Sequence, residues 1–431
     1  VSAAHAERAA AAAALFTDAE RERLLTLRRT LHAHPELSWA ERGTQATLKQ
    51  ALLDAGITDV REIADTGLVA RIPGTRAGAP AVALRGDIDA LPITEETAVP
   101  FTSRNPGVMH ACGHDMHATW TVAAGMLLRK RPAEGEVRLI LQPAEEVGEG
   151  ATKVLASGAL DGVGAIYGGH VDWRFPVGQV VATAGALAAS SDTFEVTFHG
   201  RGGHGARPQD TIDPVIGLGA FIMEVQTLVS RRLDPGQPGV VTVGVVMAGS
   251  ASNVIPERAR CAGTIRATTP EARALLCEGV RQVAEAVAAL HRLRAEVVLS
   301  EGTPPLVNSA TAAAFAQSGA AAVVGAEGLT RLPVPNMGAE DFAFYLERLD
   351  GCFMRIGTLG DGMSAAGVHT PRFDPDERAL FVGGAVLAAI ARVASAGVSL
   401  RPSAALRRRR HLYPHARPAP PDPPRRGPLR R

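Results

Sequence analysis

Apolar runs of strand length alternate with segments of helical period through the first 185 residues. Helical spacing covers RERLLTLRRTLHAH and ERGTQATLKQALLDAG, the second closed by Gly56. Short apolar runs predict strands over 67–72, 81–84, 137–141 and 165–167. Between them, 115–130 reads as a helix with Asp115 near its start, and 149–157 as a shorter one. Such alternation implies an α/β fold with a mostly parallel sheet.

From about residue 188 the pattern changes. Strands SDTFEVTFHG, GVVTVGVVMAG, RARCAGTIRAT and AEVVLSEG are interleaved with two long helices over 214–229 and 270–291. This predicts an α+β module, an antiparallel sheet with both helices on one face. Helices in SATAAAFAQSGAAAVVG, AEDFAFYLERL and ERALFVGGAVLAAIARVAS then flank a strand over 352–356. The chain therefore reads as one α/β domain, 15–187 and 304–398, interrupted by an inserted α+β domain, 188–303. The alanine-rich start reads as helical or frayed, and it lacks the layered order of a secretory signal.

Position along the strands already carries chemistry. Asp87 and Asp89 follow one expected strand, Glu145-Glu146 a second and His170 a third. Ligands of open α/β sheets bind beyond the carboxyl ends of the strands, so these side chains are expected on one rim.

Composition narrows the setting. Of 431 residues, 46% are apolar and 21% charged, as in a globular protein. No apolar stretch reaches the roughly 20 residues expected of a membrane span. The four cysteines show no C-x-x-C pair, which argues against a disulfide scaffold and for a reducing cytoplasm. Cys261, Cys277 and Cys352 lie in apolar runs and read as buried small hydrophobes. The net charge of +1 hides an asymmetry: residues 401–431 hold ten arginines against one aspartate, so the remainder is acidic. An acidic body argues against a nucleic-acid-binding core. The tail, 399–431, is rich in Arg and Pro and is expected to be disordered.

Cys112-Gly113-His114-Asp115 lies in the stretch MHACGHDMHAT. On its own it fits either a metal site or a cysteine nucleophile with its base. Glu145-Glu146 shifts the balance, because two adjacent carboxylates at a strand end are costly to bury without a cation. One could hold metal while its neighbour moves a proton. His170 in YGGHVDW and His369 in GVHTP are weak signals singly.

The segments LHAHPELSWAE, RGDIDALPI, HACGHDMH, LQPAEEVGEGA, GRGGHGARP, SNVIPERARCAGTIR, MGAEDFAFYL and GVHTPRFDPDE occur in this order. Together they resemble the amidohydrolase branch of metallopeptidase family 20. That branch holds hippurate hydrolases, N-acyl-L-amino-acid amidohydrolases and plant hydrolases of auxin–amino acid conjugates. The resemblance implies a catalytic α/β domain with an inserted lid and dimerisation domain, and two divalent metal ions per subunit. Cys112, His114, Glu146, His170 and His369 match the metal ligands, and Glu145 matches the general base. His204 matches a lid histidine that reaches the partner subunit's site. Asn253 and Arg266 match lid positions that hold the substrate carboxylate.

The implied activity is hydrolysis of N-acyl amino acids, hippurate-like or acetylated, to a carboxylic acid and a free amino acid. Zinc, manganese, nickel and cobalt all suit the ligand types. A dipeptidase or carboxypeptidase of the same family is the alternative. A cysteine hydrolase using Cys112 and a non-catalytic binding protein are further ones. A homodimer is implied, with no membrane partner.

The sequence departs from the family at two places. Asp87 stands where relatives outside the branch carry a metal-binding histidine, and HVDWRFPVG lacks the proline that often follows the ligand histidine. Asp87 and Asp89 are candidates for orienting ligands. His110 and His117 read as hydrogen-bonding supports of the ligand motif, His32 and His34 as helix-end caps, and His199 as unremarkable. Trp173 is a candidate pocket wall or core residue.

Overall fold

The computed structural model describes residues 3–362 and 366–397, so the tail 399–431 lies outside the described residues. Its centre is an eight-stranded mixed sheet. The strand order is Asp59–Ile63, Gly67–Ile72, Val137–Gln142, Ala81–Asp87, Val163–Pro176, Asp350–Leu359, Val180–Val181 and Leu329–Thr330. The middle pairings are parallel and the pairings of the first three strands antiparallel. Asp59–Ile63 is a strand that the apolar pattern does not reveal, because its residues are largely exposed.

Helices cover both faces of the sheet. Asp18–Ala33 begins on a capping box, with Thr17 and Glu20 satisfying each other's backbone N–H. It buries Leu24, Leu27 and Leu31 at helical spacing. His114–Lys130 is buried on almost every side, lying between the sheet and Ala379–Ala396. Its close approach to the sheet requires Gly86, where a Cβ would lie 2.4 Å from the His117 carbonyl oxygen.

Ala379–Ala396 is long and apolar enough to cross a membrane, but its side chains are buried in the protein core. This corrects the expectation that no segment has that character. The N-terminal helix Ala3–Ala13 joins the same core through Ala9 and Ala12.

Between Ser191 and Thr303 the chain builds a second core. Four antiparallel strands run in the order Gly239–Ala248, Arg258–Ala267, Ser191–His199 and Arg294–Thr303. Phe194, Val196 and Phe198 alternate inward from one strand, against Leu218 and Phe221 of Pro214–Glu224 and Leu276 and Val280 of Pro270–His291. The chain enters this segment through Gly185–Ala188 and leaves it through Leu306–Asn308, which pair antiparallel.

Two element boundaries differ from expectation. AEDFAFYLERL yields only the short helix Ala343–Leu346, since Glu340 and Asp341 turn inward to buried partners. His170 lies inside the strand Val163–Pro176 rather than after it. Its neighbour Ala81–Asp87 pairs with that strand only as far as Gly168, so His170 still stands beyond the shared ladder. The missing proline matters little here, because the backbone simply continues as a strand.

Candidate metal centre

Register brings the acidic residues together. Asp87 pairs opposite Gln142, so the two strand ends finish side by side. Ala144 then takes a left-handed backbone, φ 53°, with its N–H donating to Glu41 Oε1 at 2.9 Å. The turn brings Glu145 and Glu146 back over the rim, and the Glu146 N–H donates to Asp89 Oδ2 at 3.0 Å. Gly113, φ 82°, starts the helix that carries His114. A Cβ there would press on Val171 at 2.8 Å. His369 is also left-handed, φ 61°, and its N–H donates to the Ala111 carbonyl at 2.8 Å. That bond ties the C-terminal histidine to the Cys112 loop.

The expected ligands converge. Cys112 Sγ lies 3.2 Å from His170 Nε2 and 3.2 Å from His369 Nε2. His114 Nε2 lies 3.8 Å from carboxylate oxygens of both Glu145 and Glu146. His369 Nε2 lies 3.5 Å from Glu146 Oε1. Overlapping triads of donor atoms within 4.8 Å link Cys112, His114, His170, Glu146 and His369. His114 Nε2 and Glu146 Oε1 are buried without a hydrogen-bond partner. Thiol, imidazole and carboxylate atoms turned toward one another, two of them orphaned, fit a pair of divalent cations.

Surrounding groups fix the ligands. Asp89 Oδ1 accepts from His114 Nδ1 at 3.1 Å, leaving Nε2 toward the cluster. His170 Nδ1 donates to the Val171 carbonyl at 2.8 Å, leaving its Nε2 toward Cys112. His117 donates to Asp87 at 2.6 Å and accepts from the Val171 N–H at 3.0 Å. His110 differs from expectation. It is buried with neither ring nitrogen hydrogen-bonded, its ring centroid 6.5 Å from that of His32. His32 also differs, since it is buried between Asp115 at 2.8 Å and Glu95 at 3.1 Å. His34 does cap its helix, its Nδ1–H donating to the Thr30 carbonyl at 3.0 Å, and His199 contacts Glu296.

Burial dominates the electrostatics. It pushes the Cys112 thiol well above its ordinary range, with the Glu146 carboxylate adding to the effect. Burial also raises the Glu145 carboxyl well above its usual value, helped by Glu340, Asp341 and Glu146. His170 is lowered by burial and then by Arg355. Burial lowers His114 too, but Asp87, Cys112 and the hydrogen bond to Asp89 together outweigh it and the net shift is upward. The carboxylates gathered here favour cations.

Several contributors escape a reading of the sequence. Arg85 is buried and reaches Asp87, Gln142, Glu340 and Asp341. Asp341 also accepts from Gln142 and from the Ala151 N–H, and its own N–H donates to Glu145 Oε1 at 3.4 Å. The adjacent acids of MGAEDF were the one available signal, a second pair like Glu145-Glu146.

The three residues of the inserted segment lie elsewhere. His204 is exposed on a short ladder opposite Val254, and the Asn253 carbonyl accepts from the Gly205 N–H at 2.8 Å. Arg266 is half-buried opposite Val240. Among the described residues, no hydrogen bond or ion pair joins these three to the Cys112 cluster. Trp173 is partly buried against the main core.

Comparison with known proteins shows the family. Residues 83–393 match the model of peptidase family M20/M25/M40. The chain is 42% identical to an N-acetylcysteine deacetylase of Bacillus subtilis, over 86% of this chain and 96% of that protein. It is 39% identical to an IAA-amino acid hydrolase of Arabidopsis thaliana, covering 85% of this chain and 86% of that one. A crystal structure of the Bacillus subtilis YXEP protein, a dinuclear metal-binding peptidase, superposes with a TM-score of 0.76 at 36% identity, over 88% of this chain and 99% of that one. The chain belongs to peptidase family M20/M25/M40.

Proposed function

We propose that this protein is a metal-dependent amidohydrolase that cleaves N-acyl amino acids to a carboxylic acid and a free amino acid. The observation that carries the reading is the convergence of Cys112, His114, Glu146, His170 and His369, with Glu145 beside them. Those five side chains would hold two divalent ions, which supply an acidified water and polarise the amide carbonyl. Thiol and imidazole donors favour zinc, nickel or cobalt, and the carboxylate also admits manganese.

Glu145 carries the proton traffic. Its carboxylate takes a proton from the attacking water and delivers it to the leaving nitrogen. Oε1 is steadied by the Asp341 N–H, while Oε2 faces His114. His204, contributed by a neighbouring subunit, donates to the oxyanion, and Asn253 and Arg266 hold the substrate carboxylate. That role requires residues 188–303 to act as a lid and dimerisation domain on the catalytic parts, 15–187 and 304–398. The free cysteines fit a reducing cytoplasm.

Turnover of a panel of N-acyl amino acids and dipeptides tests the reading. N-acyl amino acids are expected to outrun dipeptides, and the reverse order would favour the dipeptidase alternative. Glu145→Gln is expected to lower kcat by roughly 10²- to 10⁴-fold while metal content is unchanged. Wild-type turnover in that variant would contradict the assigned base. A cysteine hydrolase is disfavoured, since His170 and His369 stand equally close to the Cys112 sulfur at 3.2 Å, as co-ligands would, and a nucleophilic cysteine leaves Glu145-Glu146 without a role.

A further inference from the structure

Arg355 lies on the strand Asp350–Leu359, directly opposite His170 in the parallel pairing with Val163–Pro176. Residues in register on neighbouring strands project to the same face of a sheet. On this strand Cys352, Met354 and Ile356 enter the main core, whereas Phe353 belongs to the smaller core on the opposite face. Arg355, two residues beyond Phe353, shares that face with His170.

The guanidinium is buried and unpaired. Arg355 is 6% exposed, its Nε has no hydrogen-bond partner, and it has no ion pair among the described residues. Asp172, the next inward-facing acid on the facing strand, is already held by Arg174 at 2.6 Å and 2.9 Å. The Phe353 ring lies 5.9 Å from the Arg355 Cζ. Arg85, near the same ring, is by contrast fully engaged with carboxylates and an amide. Glu340, the other carboxylate that acts on Arg355, is likewise held by Arg85 at 3.0 Å, and a buried guanidinium left without a hydrogen bond is costly unless an anion completes it.

We propose that Arg355 is a substrate-binding residue that receives a carboxylate beside the metal centre. The guanidinium fork matches a carboxylate in two parallel hydrogen bonds. The inference rests on the amidohydrolase reading, under which every substrate carries an α-carboxylate, which Arg355 would share with Asn253 and Arg266, and some carry a second one on the acyl group, which Arg355 would hold alone. Either source offers the same chemistry.

Calorimetric binding separates them. The metal-loaded Glu145→Gln protein, which holds substrate without turning it over, would be titrated with N-acetyl-L-methionine, N-acetyl-L-methioninamide and N-succinyl-L-methionine. Arg355→Met in this background is expected to lose about 10- to 100-fold in affinity for a carboxylate that it contacts. Loss for both acids but not for the amide assigns the α-carboxylate. Loss confined to the succinyl compound assigns the acyl side. Arg355→Lys keeps the charge without the fork and is expected to fall between the two, which covers the case of a Met variant that does not fold. Equal affinities across the variants, or no binding of either acid to the starting protein, would overturn the proposal. Failure of the amidohydrolase reading shows up separately, as absent turnover by the wild type.

Discussion

Asp89 touches both halves of the centre at once. One carboxylate oxygen accepts from His114 Nδ1, and the other takes the Glu146 N–H and the Ser38 hydroxyl. The sequence offered Asp87 and Asp89 as candidates because both follow a strand; Cys112 and His114 were ambiguous alone, and Glu145-Glu146 shifted the balance because adjacent carboxylates are costly to bury without a cation. Arg85 and Arg355 were not legible, since a single charge within an apolar strand reads like a solvent-facing position. His110 was expected to hydrogen-bond, and it instead sits buried and unpartnered. Burial lowers its pKa from 6.5 to about 4. The depressed value means that its contribution to stability is present above pH 6.5 and is lost as pH falls toward 4. The loss from this ring alone is about 3 kcal/mol. Chemical denaturation between pH 7 and pH 4 is expected to show a shallower decline for His110→Leu than for wild type. Parallel curves for the two proteins would refute the assignment.

Strand register accounts for most of what spacing alone could not fix. The hydrophobic pattern located the central strands, but it could not say that Asp87 ends opposite Gln142 or that His170 pairs with Arg355. Register depends on which strands become neighbours, and that is a long-range property. The helix expected over 339–349 shrank for a related reason, as buried partners for Glu340 and Asp341 outweighed local helical propensity. In the second core, Gly239–Ala248 is an edge strand with Val240, Val245, Val246 and Met247 exposed. An apolar, unprotected edge invites pairing with another copy of the same strand. Under the proposed homodimer, wild type is expected to sediment as a dimer and Val246→Lys as a monomer. The substitution should also lower kcat by about 10²- to 10³-fold, the cost of losing an oxyanion donor such as His204. A monomeric variant of full activity would remove His204 from the mechanism.

On the scale of the whole molecule, the alternation of elements was enough to separate a mixed α/β sheet from an antiparallel segment with its own core. The paired entry and exit strands, Gly185–Ala188 and Leu306–Asn308, explain how one polypeptide accommodates the insertion without breaking the main sheet. The rim of that sheet gathers residues from six stretches of chain: Asp87 to Asp89, Cys112 to His117, Glu145-Glu146, His170, Glu340-Asp341 and His369. Such convergence is what the proposed metal centre requires. The most direct test is to strip the protein with a chelator and titrate a divalent ion back, following bound metal and hydrolysis of an N-acyl amino acid together. The account predicts that activity vanishes on stripping and returns as binding approaches two ions per chain. Full activity in rigorously metal-free protein would contradict it.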